Sequence, residues 1–209
     1  MARTRTAAPR TRQERTADSR TLILDAAVTC LVEHGYAGAS TLVIQAEAGV
    51  SRGRLLHHFP SRDHLLVAAA QHLASTRLAR TEERATQLLA GEPEGRQRVD
   101  RCIELFWATF QEPHFWAAME LWTAARTNAS LASPLRREER RLGTAIQAVS
   151  NRIWGPWVCA HPRYRELREL LFTSMRGVAM AYAFENRSPA TDPHLRMWKE
   201  MAHQVLFDG

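Results

Sequence analysis

A three-residue connection, GVS at 49–51, joins two short amphipathic segments and constrains the fold more than any other feature of this chain. Apolar periodicity predicts helices over about 41–48 and 52–58, and the Ser51 hydroxyl can accept the free first-turn amides of the second helix. Two helices linked by so few residues, one of them a glycine, cross steeply, and Val50 fills the angle between them. The sequence therefore predicts a helix-turn-helix.

The flanking segments predict two further helices around this motif. The first covers about 19–34, with its apolar residues on one face, and ends at Gly35 as a left-handed cap. Ser40 or Thr41 caps the second helix. The third helix ends before a proline, and a long fourth helix follows over about 62–89.

The third predicted helix has one apolar face and one basic face. Leu55 and Phe59 fall on the apolar face, so the opposite face can enter the major groove of DNA. Arg52 and Arg54 lie near the helix N-terminus, where a recognition helix meets base edges, and arginine binds guanine O6 and N7 in a bidentate manner. Gly53 allows a close backbone approach. The alternative is a solvated charged face on an ordinary helix.

Residues around this face complete the predicted DNA contacts from the helices. Arg62, at the start of the fourth helix, can hold a phosphate together with the amides exposed there. His57 and His58 are weaker candidates because either can pack against the first helix, and two adjacent histidines without further ligands make a poor metal site. The full predicted set is Ser40, Thr41, Ser51, Arg52, Gly53, Arg54, His57, His58 and Arg62.

The uneven charge of the chain favours a polyanionic partner. Residues 1–80 hold 11 arginines against 6 acidic residues, whereas the rest of the chain holds 17 basic against 16 acidic residues. Arginine supplies 27 of the 28 Lys and Arg residues and suits bidentate phosphate contacts better than lysine, although a general bias toward arginine would give the same composition. Residues 1–18 are expected to form a flexible basic arm whose Arg10, Arg12 and Arg15 either enter the adjacent minor groove or stay unengaged.

Other classes of protein find little support in the sequence. The three cysteines lie far apart without a C-x-x-C pair, which favours a reduced, cytoplasmic setting. No apolar run approaches the roughly 18 residues of a membrane span, and the first residues lack the apolar middle of a signal peptide. Because no G-x-S-x-G, H-E-x-x-H or Walker-type glycine run is present, we expect no enzyme, no catalytic residues, no metal and no cofactor.

The remainder of the chain is expected to form a helical bundle. Glycine, proline and asparagine punctuation predicts five more helices near 96–111, 114–126, 135–154, 163–186 and 193–206. The run HFWAAMELWTAA is apolar nearly all round, which places it in the middle of the bundle. The expected fold is all-α with about nine helices: a basic arm at 1–18, a helix-turn-helix DNA-binding domain at 19–62, and a ligand-binding and dimerisation domain at 63–209.

An aromatic-rich set of residues in this bundle is the candidate ligand site. Its apolar members fit either an ordinary core or a largely apolar cavity for an aromatic or greasy ligand. Glu120 and Arg176, each an isolated charge in an apolar run, predict a buried ion pair or a pair of which either member orients a ligand. The candidate ligand-binding residues are Trp107, Phe110, Phe115, Trp116, Met119, Glu120, Trp122, Arg176 and Met180.

The last two predicted helices are the candidate dimer interface. Small residues on one of them allow close helix approach, and an apolar stripe follows the other; packing within a single chain is the alternative. A dimer that holds two recognition helices about 34–36 Å apart binds a roughly palindromic operator. The residues concerned are Gly177, Ala179, Ala181, Ala183, Leu195, Trp198, Met201, Ala202 and Val205.

Two stretches together carry a family resemblance. ILDAAVTCLVEHGYAGAS and GVSRGRLLHHFPSRDHLL, with the distance between them, resemble the N-terminal DNA-binding domain of the TetR family of transcriptional regulators. The resemblance covers about 20–66 and includes the paired alanines, the GY, the I-x-x-x-A-G-V-S core and the F-x-S-[KR] ending. It implies an all-helical homodimer that represses genes and releases its DNA operator on binding a small molecule, whose identity does not carry over.

Two residues depart from the family pattern. Gln45 stands where the family usually has a small residue, so its side chain must turn outward or widen the helix crossing. Leu56 stands where the family often has a tyrosine whose hydroxyl meets a phosphate, and His57, His58 or Arg62 are the available substitutes. The alternative function is therefore a helical carrier or sensor of small molecules with a weakened DNA-reading head.

Overall fold

The computed structural model describes residues 12–185 and 187–208, and all regular structure within them is helical. A short 3₁₀ helix, Pro189–Thr191, precedes the last α-helix. The all-α prediction is confirmed. The ten α-helices of the described residues are α1 Arg12–Gly38, α2 Thr41–Glu47, α3 Arg52–His58, α4 Arg62–Leu88, α5 Arg96–Thr109, α6 Pro113–Ala125, α7 Ala129–Trp154, α8 Pro156–Cys159, α9 Tyr164–Ala181 and α10 Pro193–Phe207.

Helix α1 begins earlier than its apolar pattern indicated. It starts at Arg12, so residues 12–18 are helical in the structure, and the flexibility of the arm stays a prediction. Arg10 lies outside the described residues. Gly35 has the positive φ expected of it, +64°, but its ψ of −178° is extended, so it kinks α1 before the last turn instead of ending the helix as a left-handed cap.

Local capping explains the two short helices. The Ser40 hydroxyl accepts the Val43 amide at 3.2 Å, and the Ser51 hydroxyl accepts the Arg54 amide at 3.3 Å. Leu55 and Phe59 are buried, as predicted for the apolar face of α3. These contacts establish the helix-turn-helix that the short GVS connection predicted.

The described residues group into two compact units. The head unit comprises the residues up to Leu73 together with Met119–Leu135, and the bundle unit comprises Ala74–Ala118 and the residues from Arg136 onward. Helices α4, α6 and α7 each contribute residues to both units. The functional division at residue 62 stays a prediction, because compactness alone assigns no function.

Three predicted helix boundaries in the second half of the chain are wrong. Helix α7 starts at Ala129 rather than near 135, because the Asn128 carboxamide oxygen accepts the amides of Ser130 and Leu131 and so caps the helix before Pro134. Helix α8 forms inside a stretch predicted to be a connection, with a proline at its first position. Helix α9 ends at Ala181 rather than near 186.

Trp107 lies at the centre of the bundle unit. Its ring centroid is 4.9 Å from that of Trp198, 5.8 Å from Tyr182 and 6.4 Å from Phe110, and its Nε1–H donates to the Pro189 carbonyl at 2.9 Å. These contacts join α5 to α9 and α10 through one buried aromatic cluster.

The apolar stripe predicted on the last helix is partly internal. Trp198 and Ala202 are buried within the bundle unit, so the prediction that they face a second subunit is wrong. The spacing of apolar residues predicts that one face of α10 is buried, but it does not identify the element that covers this face. In the structure, α5 covers it. Within 12–185 and 187–208, no helix has the length and apolar character that crossing a lipid bilayer requires.

Candidate DNA-binding and effector sites

The solvent side of α3 brings four predicted DNA-binding residues together. Arg52, Gly53, Arg54 and His57 are all exposed. A Cβ added at Gly53 would meet nothing within 4 Å, so the surface above this position is open. The side chain of Arg54 projects to solvent while its backbone amide is bound by the capping serine. The face therefore presents two guanidinium groups on a flat, accessible helix surface.

The capping serines can serve DNA binding as well. Ser51 is exposed, and Ser40 and Thr41 are half-buried at the start of α2. Each serine hydroxyl accepts a backbone amide and keeps its own proton, which can be donated to a phosphate oxygen. Their predicted contact with DNA stays a prediction.

His58 differs from its neighbour on α3. It is half-buried, and its ring centroid lies 5.5 Å from that of His57 and 6.2 Å from that of Phe59. Burial lowers the pKa of His58, and the nearby positive charges of His57, Arg20 and Arg54 lower it further. This surrounding favours the packing role for His58 over a charged phosphate contact.

Arg62 has a different principal role from the one predicted. Its Nε–H donates to the Ala39 carbonyl at 2.8 Å, and its Nη2 donates to the Tyr36 carbonyl. The guanidinium also lies 4.3 Å from the centroid of the Tyr36 ring. Arg62 therefore holds the connection between α1 and α2 against the start of α4. Phosphate binding by Arg62 stays a prediction, and these contacts count against it.

A hydrogen-bonded network that the sequence did not reveal lies in the head unit. The Tyr36 hydroxyl donates to Asp63 Oδ1 at 2.9 Å and accepts from Asn128 Nδ2 at 3.0 Å. The Ser130 hydroxyl donates to Asp63 Oδ2 at 2.7 Å. Burial raises the pKa of Tyr36, and the hydrogen bond to Asp63 raises it further. The GY motif pointed to Tyr36, but no local pattern pairs it with residues of α7.

Glu120 belongs to the head unit and contacts α1 directly. It is exposed, and its Oε2 accepts the Tyr36 backbone amide at 2.8 Å, so the predicted burial of Glu120 is wrong. The kink at Gly35 frees this amide from the helical pattern, and the carboxylate satisfies it. Arg176 lies half-buried on α9 in the bundle unit. The roles of Glu120 and Arg176 in orienting a ligand stay predictions.

We expect Gly35→Ala to lower the free energy of unfolding by about 1–2 kcal/mol, because an alanine rarely adopts a positive φ. The added Cβ would also lie 2.9 Å from Glu120 Oε2, although that flexible side chain can move. Urea denaturation measures the change. Gly53→Ala is the matched control, because its φ is not positive and its surroundings are open. An equal loss in both variants would contradict a special conformation at Gly35.

The predicted aromatic residues divide between the two units. Trp107, Phe110 and Phe115 are buried in the bundle unit, and the rings of Phe110 and Phe115 lie 5.6 Å apart. Trp116 is half-buried in the same unit, and Met180 is an exposed residue of α9. The predicted residues of the head unit are Met119, Glu120 and Trp122.

The structure adds further rings to the aromatic group, since the Phe172 ring lies 6.1 Å from that of Phe110 and the rings of Tyr182 and Trp198 lie beside that of Trp107. Ligand binding by the whole set stays a prediction. Among the residues that the structure describes, no group of three or more His, Cys, Asp or Glu is placed to hold a metal ion.

Known proteins are similar to this chain in the helix-turn-helix segment and in the overall fold. Residues 23–69 match the model of the bacterial regulatory proteins of the tetR family. The transcriptional regulator CymR of Pseudomonas putida is 27% identical over 171 residues, 82% of each chain. The transcriptional repressor AcnR of Corynebacterium efficiens is 36% identical over 85 residues, which are 40% of this chain and 45% of AcnR.

A solved structure shows a similar fold over most of the chain. The multidrug binding protein EbrR complexed with ethidium has a TM-score of 0.60 at 21% identity, with 90% of this chain and 98% of EbrR covered. The matched segment 23–69 contains the helix-turn-helix with its exposed arginines. Residues 23–69 therefore form a helix-turn-helix segment of the tetR family of bacterial regulatory proteins, and most of the chain is similar in sequence to a transcriptional regulator and in fold to a multidrug binding protein.

Proposed function

We propose that the chain is a homodimeric repressor that binds a roughly palindromic operator through α3 and releases it when a small apolar or aromatic effector binds. The observation that carries the proposal is the exposed basic face of α3, held behind a capped three-residue turn. In this arrangement the first turn of a recognition helix meets base edges in the major groove.

Base recognition is assigned to three side chains of α3. Arg52 and Arg54 bind guanine O6 and N7, and Gly53 between them permits a close approach of the helix. Leu56 is exposed one turn after Arg52, where an apolar side chain contacts thymine methyl groups instead of a phosphate. Phosphate contacts fall to the hydroxyls of Ser40 and Ser51.

A stripe of exposed residues along α9 supports dimerisation. Leu170, Thr173, Gly177, Met180 and Phe184 recur at spacings of three or four residues, and all five are exposed. Phe184, just beyond the end of α9, is 93% exposed. A second copy of the stripe would cover these apolar side chains, with the small Gly177 at the closest approach. Two recognition helices held by such a dimer meet successive major grooves.

We assign release of the operator by the effector to a shift between two packing arrangements of the helices. Helix α6 contributes its first residues to the bundle unit and its last residues, including Glu120, to the head unit. An effector that prefers one packing would alter the contacts of Glu120 and Asn128 with Tyr36 of α1, and so lower the population competent for DNA binding. An aromatic effector agrees with EbrR, a relative in fold that has been solved with ethidium and proflavin.

Selection of bound fragments from genomic DNA, with and without candidate effectors, identifies the operator and tests the proposal. The affinity for that operator is expected to fall by about 10³-fold between 50 and 200 mM salt, because bound arginines release counterions from the phosphates. Gel retardation across this salt range measures the slope. A protein that binds small molecules but shows no salt-dependent DNA binding would instead be the helical carrier with a weakened reading head.

A further inference from the structure

A half-buried polar cluster lies at the connection between α5 and α6. Three of its side-chain atoms, Arg77 Nε, Gln111 Nε2 and His114 Nδ1, are buried without a hydrogen-bond partner among the described residues. The arginine and glutamine nitrogens are donors, and the histidine nitrogen donates or accepts according to its tautomer. Buried donors are normally satisfied, because an unmade hydrogen bond in the interior is unfavourable. An occupant that accepts hydrogen bonds would remove this penalty.

The three side chains are held in one small region of the bundle unit. Arg77 Nη1 lies 3.0 Å from Glu112 Oε2, which follows Gln111 directly in the chain. The connection is tight, since the Gln111 amide donates to the Ala108 carbonyl at 3.2 Å and the Phe115 amide donates to the Glu112 carbonyl at 3.0 Å. Backbone hydrogen bonds therefore fix where the polar side chains begin.

Aromatic residues flank the cluster in the chain. Phe110 and Phe115, the immediate sequence neighbours of Gln111 and His114, pack edge to face at 5.6 Å. The polar side chains therefore leave the backbone next to a packed apolar pair. A few polar groups set into an apolar surface are the usual composition of a small-molecule site.

The charges of the cluster balance. Arg77 is matched by Glu112 at 3.0 Å. Burial lowers the pKa of His114, with Arg77 acting in the same direction and Glu112 opposing it, so the imidazole is neutral at neutral pH. A ligand anion would add an uncompensated negative charge beside Glu112, and a ligand cation would face the donors of Arg77. An uncharged oxygen acceptor satisfies the donors without either penalty.

We propose that Arg77, Gln111 and His114 form the polar end of the effector site and select an uncharged aromatic ligand that carries a carbonyl or similar oxygen acceptor. The inference deepens the proposed function and rests on it only in placing the effector within the bundle unit. It assigns the ligand class from the donors that the protein leaves unsatisfied.

Three naphthalenes of similar shape test the ligand class on the full chain. The neutral ketone 2-acetonaphthone is expected to bind roughly tenfold more tightly than 2-isopropylnaphthalene, which has no acceptor, and more tightly than the anion 2-naphthoate. Calorimetric titration gives the three dissociation constants. Equal affinities, or no binding by any of the three, would overturn the proposal, and tightest binding by the naphthoate would overturn the neutral ligand class.

Gln111→Leu tests the assigned donor. The preference for the ketone over the alkyl probe, measured as the ratio of their dissociation constants, should become smaller in this variant, because one of the three donors is removed, whereas a general loosening of the site would weaken both probes alike. Gln147→Leu, at an exposed position of α7 in the same unit, is the matched control and should keep the ratio. A ratio that is unchanged in Gln111→Leu would overturn the assignment of Gln111 as a donor to the ligand.

The DNA experiments separate this inference from the proposed function. If the ketone binds with the expected selectivity but leaves operator affinity unchanged at fixed salt, the proposal that an effector releases the operator is wrong. The proposed polar ligand site is then still supported. If operator affinity falls steeply with salt concentration but the three probes bind with equal affinity, the proposed DNA-binding function is supported and the proposed ligand class is wrong.

Discussion

Replacing Arg52 and Arg54 together by alanine is expected to weaken operator binding by about 2–6 kcal/mol for each half-site, because each bidentate arginine–guanine pair contributes about 1–3 kcal/mol of discrimination. Both side chains are exposed and neither is needed for the core of the head unit. The loss is therefore expected in recognition and not in folding. An unrelated duplex of the same length should lose much less affinity than the operator.

Dissociation constants for the operator and the unrelated duplex, measured at one salt concentration, provide the comparison. Arg136→Ala with Arg137→Ala is the matched control, because it removes the same two charges from exposed positions of α7. A similar loss in this control would assign the effect to net charge. An equal loss of the α3 variant on both duplexes would reduce Arg52 and Arg54 to phosphate contacts.

Trp107→Ala is expected to lower the free energy of unfolding by about 3–5 kcal/mol, which is typical of truncating a buried tryptophan. The substitution removes ring contacts with Phe110, Tyr182 and Trp198 and leaves the Pro189 carbonyl without its donor. Urea denaturation at fixed protein concentration measures the change, since the stability of a dimer depends on concentration.

Trp107→Phe separates the ring from the hydrogen bond, and we expect it to retain a large part of the stability. A loss below about 1 kcal/mol in Trp107→Ala would mean that the ring lines a space large enough to stay open, as in a ligand cavity. Trp107 would then belong to the effector site rather than to the core of the bundle unit.

Local signals predicted the reading head well. A cap, a glycine turn and a short apolar period lie within a few residues of one another, so α2, α3 and the kink at Gly35 could be located from the sequence. The start of α1 was missed because residues 12–18 carry no apolar period. The start of α7 was missed because Pro134 suggested a break, whereas Asn128 caps the helix upstream of it.

Contacts between distant parts of the chain could not be predicted in the same way. Glu120 appeared to need a charged partner, yet it binds the backbone amide of Tyr36, 84 positions away in the chain. Asp63 and Asn128 meet at the Tyr36 hydroxyl, although nothing in their own surroundings distinguishes them. The stripe containing Trp198 showed correct periodicity, but periodicity does not identify the covering surface.

The residues that hold the head unit together are separate from the exposed residues of α3, and this separation affects how such proteins diversify. Arg62 and Tyr36 secure the frame of the head, whereas the outward residues of α3 carry no part of its core. Substitutions at 52, 53, 54 or 57 therefore alter an exposed surface of the helix-turn-helix without removing core contacts. After gene duplication, one copy could acquire a new target sequence in a few steps, each of which leaves an intact protein for selection to act on.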